Sequence, residues 1–166
     1  LAQLNIAALR EPLESPTMAD FVANLERINA LAEQSAGFVW RLKDDAGDAT
    51  SFRPFGDLVI VNMSVWTDVE SLRRFAFESA HVEIFRRRRE WFDRMSTAYA
   101  VLWWVPHGHR PTAQEGVERF NLLRERGPTA EAFTFGKMFP PAAVAAPHLP
   151  CPFPPPGTHP RFPTCH

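Results

Sequence analysis

Between Ser79 and Phe92 the sequence reads Ser-Ala-His-Val-Glu-Ile-Phe-Arg-Arg-Arg-Arg-Glu-Trp-Phe. At about 100° per residue this segment predicts a helix whose apolar stripe of Ile84, Phe85, Trp91 and Phe92 also carries His81 and Arg88. Ionisable groups on a buried face are costly unless something compensates them. The pair is therefore the first candidate for a polar site. A neutral imidazole can act as a general base or ligate iron or another metal. A guanidinium two turns away suits a carboxylate, enolate or phenolate. The competing reading makes His81 a packed histidine bonded to a backbone carbonyl or to Asn62. It likewise pairs Arg88 with Glu83, Glu90 or Asp93. Arg86, Arg87 and Arg89 read as a solvated face.

Other residues can join the pair. Asn62, Ser64 and Trp66 alternate along one side of a strand, and Trp103 or Trp104 occupies the matching region of another. If that side meets the helices, these residues and Trp91 wall an apolar pocket with few polar groups, the usual make-up of a small-molecule site. His109 is a further polar group for the same pocket. His107 and His109 flank Gly108, but a third metal ligand is not in view. Cys151, His148, His159, Cys165 and His166 lie in a proline-dominated tail unlike the tight ligand turns of structural zinc sites. No metal site is assigned, and no P-loop, GxGxxG, GxSxG or HExxH motif occurs.

The elements that must position these groups follow from periodicity. Residues 2–9 alternate as a strand, and Thr17 to Asp20 reads as a capping box before a helix with Phe21, Leu25, Ile28 and Ala32 on one stripe. Strands are predicted over 38–42, 58–66 and 98–105. Asp68 caps a helix whose stripe (Leu72, Phe75, Ala76) falls out of phase with His81 and Phe85, so a break near Ser79 is expected. Thr112 to Glu115 is a second capping box, its helix stopping at Gly127-Pro128, and 132–138 reads as a short fifth strand.

This order is an α+β, ferredoxin-like split βαβ arrangement, an antiparallel sheet with helices on one face. Strands apolar on both sides then need a second cover, and another copy of the chain supplies it, so a homodimer packed sheet on sheet is expected. The domain is read as 1–138, followed by a proline-rich tail over 139–166. The 166 residues are 45% hydrophobic with a formal charge of -1. No basic patch is sustained and no run spans a bilayer, so nucleic acid and membrane are not expected partners, and the chain reads as cytoplasmic.

The segments Phe21–Leu25, Gly37–Arg41, Val61–Trp66, His81 with Arg88–Phe92, and Leu102–Pro106 followed by Gly108–Pro111 resemble the bacterial domain family DUF3291. That family lies within the dimeric α+β barrel superfamily of antibiotic-biosynthesis monooxygenase-like proteins. The resemblance covers residues 1–138. It implies a ferredoxin-like protomer, a barrel dimer and a pocket between sheet and helices. The function expected is a small-molecule enzyme of the monooxygenase-like type acting on an aromatic or anionic metabolite. His81 is then the base or ligand, Arg88 the anion clamp, and Asn62, Trp66, Trp91, Trp103 and His109 the binding wall. The superfamily hosts several chemistries, so two alternatives stay open. One is a haem or metal protein using His81 or His109; the other is a non-catalytic dimeric binding protein.

Overall fold

The computed structural model describes residues 1–44, 47–78, 87–96 and 98–141. Its strands are β1 (Ala2–Ala8), β2 (Phe38–Arg41), β3 (Val59–Trp66) and β4 (Ala100–Trp103). Its helices are α1 (Ala19–Gln34), α2 (Val69–Glu78) and α3 (Ala113–Arg126), with a further helical turn over 87–91. The sheet order β2-β3-β1-β4, antiparallel throughout, is the split βαβ topology that the element order predicts.

Register assigns the two sheet faces. Leu4 lies opposite Met63 and Val101, and Ala2 lies opposite Val65 and Trp103. These residues, with Ile6 and Val61, form one apolar face, packed against Phe120 and Leu123 of α3. Gly116 makes the approach possible. A Cβ there would come 2.6 Å from Met63 Sδ and 2.7 Å from Leu4 Cδ1. The alternate face carries Gln3, Asn62, Ser64, Trp66 and Leu102 and is covered in part by α1 and α2 through Ala32, Leu72 and Phe75.

Helices therefore cover both faces, which corrects the one-sided arrangement expected from sequence. The apolar face is buried to 5% exposure or less within one chain, so that face needs no second copy to cover it. The 132–138 segment is also not a strand. Phe133 bridges Leu102 with two 2.8 Å backbone bonds, and Thr134 bridges Lys137.

Capping follows local chemistry. The box at Thr17 does not form; a 3-10 turn over Pro16–Met18 leads into α1, whose N-cap Met18 makes no side-chain bond. Thr112 does cap α3, its Oγ1 accepting the Glu115 N–H at 3.1 Å, and Gly127 ends it with φ 71°. Asp68 caps α2: its Oδ1 accepts the Ser71 N–H at 2.7 Å. That bond holds the Asp68 carboxyl below the usual carboxylate range. Its contribution is present above the unfolded carboxylate range and is lost as pH falls through the lowered folded value. Asp68→Ala is expected to cost about 1 kcal/mol at pH 7. Denaturant titrations should show the gap to wild type closing as the cap protonates on acidification.

Candidate functional site

Polar side chains are scarce inside this fold: Gln3, Ser64 and Ser71 are the buried ones among the described residues. Two of them, Gln3 and Ser64, adjoin on the sheet face shared with Trp66. Gln3 Nε2 donates to Ser64 Oγ at 2.9 Å and to Asn62 Oδ1 at 3.2 Å. Trp66 Nε1 donates to the same Ser64 oxygen at 2.9 Å. The strands dictate this row, because Gln3 sits opposite Ser64 and the side chains of Asn62, Ser64 and Trp66 alternate to one side of β3.

The network ends at the surface. Asn62 is exposed. Its carbonyl oxygen is taken by Gln3, which turns the amide Nδ2–H₂ outward as a two-proton donor. Trp66, 1% exposed, is clamped behind it. Its ring lies 5.2 Å from Phe75 in a stacked pair and 5.4 Å from Phe38 edge-on. Asn62 is thus an exposed amide held through its carbonyl oxygen by Gln3.

Trp103 faces the other way. Its position opposite Ala2 places it with Val65 on the α3 side, so it cannot share a wall with Asn62 and Trp66. The tryptophan on the Trp66 side is Trp104, which packs with Phe133 and donates to the Phe139 carbonyl at 2.8 Å. His109 belongs to the Trp103 side. Glu115, which sequence reading placed in a capping box, instead accepts Trp103 Nε1 at 3.0 Å and contacts His109 Nε2 at 2.8 Å. The box pattern concealed this second polar cluster. A carboxylate can orient a histidine toward a metal. Yet no group of three His, Cys, Asp or Glu side chains able to hold an ion converges among the described residues. The described residues therefore gather no metal-ligand set around His109.

The helical turn also differs from its expected presentation. Trp91 is 1% exposed and packs with Leu9, Met18 and Phe21 as core, while Arg88 is exposed. A long cationic side chain beside an apolar stripe keeps its head in water, which a wheel projection does not show. Arg87, expected on a solvated face, is tied to the fold. Its guanidinium lies 4.7 Å over the Trp91 ring, and Nη2 bonds Glu90 at 2.7 Å and Asp20 of α1 at 3.0 Å. These bonds raise the Arg87 pKa and hold the Glu90 carboxyl low. His81, the break at Ser79, and the cysteines of the tail all lie outside the described residues.

A structure search finds SnoaB, a cofactor-independent oxygenase from Streptomyces nogalater, at 20% identity and a TM-score of 0.38, covering 58% of this chain and 93% of that one. No curated protein sequence matches. Among the described residues, no helix is long and apolar enough to cross a membrane. The family described as "Domain of unknown function (DUF3291)" matches residues 1–148, past Met138 and into the proline-rich stretch. That span takes in every strand and helix described above, and the chain belongs to the DUF3291 family.

Proposed function

We propose that the chain is a small-molecule enzyme of the monooxygenase-like type whose aromatic or anionic substrate lies against the sheet face carrying Asn62. The observation that supports this reading is the buried Gln3–Ser64–Trp66 network that fixes the outward amide of Asn62. Burying an amide and a hydroxyl costs stability that apolar residues of similar shape would not, as the opposite sheet face illustrates. Such a cost is justified where a donor must be held at a set position for charge that develops on a substrate oxygen.

In this reading Asn62 is the oxygen-binding donor, with Gln3 and Ser64 as positioning residues. Trp66 is the rigid support behind them. Arg88 supplies the cation for an anionic substrate and His81 the base. Trp91 is assigned to the core and Trp103 with His109 to the other face. The experiment is oxygen uptake by the full chain with 1,4-dihydroxy-2-naphthoate, a flat anionic phenol, as probe. Asn62→Ala is expected to lower the rate at least about tenfold with the folding transition unchanged, since its side chain is exposed. Uptake equal to wild type in that variant, or no uptake by wild type above the protein-free rate, contradicts the reading.

A further inference from the structure

Where α1 runs out beside α2, Ser35, Ala36, Ser71, Arg74, Phe75 and Glu78 line a shallow, open hollow of about 330 Å³. The volume falls within the range of small-ligand sites. Arg74 and Glu78 stand one turn apart on α2, and neither has an ion-pair partner among the described residues. The two hydroxyls have spent their protons. Ser35 Oγ donates to the Leu31 carbonyl at 2.7 Å and Ser71 Oγ to Asp68 Oδ2 at 3.2 Å. Their oxygens face a ligand as acceptors only. Phe75, which stacks on Trp66, adds an aromatic surface to the lining.

The lining thus offers one cation, one anion, two hydroxyl acceptors and an aromatic surface. A simple carboxylate would meet Arg74 but also Glu78 and two acceptors; a simple amine would leave Arg74 unmatched. A molecule bearing both charges satisfies every group. We infer that this hollow binds a small zwitterion of the α-amino acid class with an apolar side chain: carboxylate on Arg74, ammonium on Glu78 and the serine oxygens, side chain on Phe75. The lining does not include Asn62, Gln3 or Ser64.

Calorimetric titration of the full chain with L-phenylalanine, 3-phenylpropionate and 2-phenylethylamine tests this. Saturable binding of L-phenylalanine is expected, with both single-charge analogues about tenfold weaker or more. Arg74→Met and Glu78→Gln should each weaken L-phenylalanine about tenfold. Circular dichroism should be unchanged, since both side chains are exposed. Three results would overturn the assignment: no saturable binding of L-phenylalanine, an analogue that binds equally well, or variants that bind as wild type.

Discussion

Gly37→Ala is expected to destabilise the fold by about 3 kcal/mol or more, the sum of an overpacking cost and a left-handed backbone cost. Gly37 has φ +82°, and a Cβ built on it would fall 2.2 Å from Ser71 Oγ, 2.5 Å from Ser71 Cβ and 2.6 Å from Thr67 Oγ1. None of these neighbours can swing aside cheaply. Ser71 is buried on α2 and tied through its N–H and hydroxyl to Asp68, and the Thr67 N–H donates to the Gly37 carbonyl at 2.8 Å. A methyl group must therefore push α2 away from the start of β2. Gly127→Ala is the control, with φ +71° and no heavy atom within 4 Å of where its Cβ would stand. It should cost only the backbone part, about 1–3 kcal/mol, since φ 71° with ψ -173° is a region that essentially only glycine adopts. Urea unfolding of both variants measures the difference; equal losses would show that the tight contact at Gly37 does not exist.

Trp66→Ala should cost about 3–5 kcal/mol, the range for deleting a buried large aromatic. The ring is 1% exposed, and its removal ends the contacts with Phe38 and Phe75. It also removes the indole donor from Ser64. Trp66→Phe separates the two effects. Most of the packing survives, the loss is expected near 1 kcal/mol for the missing hydrogen bond, and the Gln3–Ser64–Asn62 row is left without its anchor. On the proposed function, Trp66→Phe therefore lowers oxygen uptake by more than its small stability loss explains. Thermal unfolding and the uptake assay on the same sample separate the two. A Trp66→Phe enzyme with wild-type rate would reduce the network to packing.

The split βαβ order was legible because its strands alternate and its helices keep a 3.6-residue stripe, both of which survive without knowledge of tertiary contacts. Val61, Met63 and Val65 against Asn62, Ser64 and Trp66 already divided β3 into its two sides. Which side met which helix was not legible. β4 is apolar on both faces, so the division of Trp103 from Trp104 depended on pairing register, with Ala2 opposite Trp103. The role of Gly116, whose missing side chain lets α3 approach Met63 and Leu4, was not legible because it depends on the tertiary contact. The bond from Gln3 to Ser64 was not legible, because the two residues lie 61 positions apart. The wheel put Arg88 on the apolar stripe and Arg87 on a solvated face, but it could not show that Arg87 reaches Asp20 on α1, because that contact joins residues 67 apart.

The proposed function requires a ligand on the Asn62 face and not on the Trp103 face. Two-dimensional nitrogen–proton spectra of the full chain, titrated with 1,4-dihydroxy-2-naphthoate, distinguish the two faces. Each tryptophan indole N–H is assigned by its Trp→Phe variant and the amide by Asn62→Asp. Saturable shifts of the Asn62 amide and the Trp66 indole are expected, with the Trp103 indole, bonded to Glu115 on the α3 side of the sheet, unmoved. Shifts confined to Trp103, or an unmoved Asn62 amide at saturation, would contradict a ligand on this face.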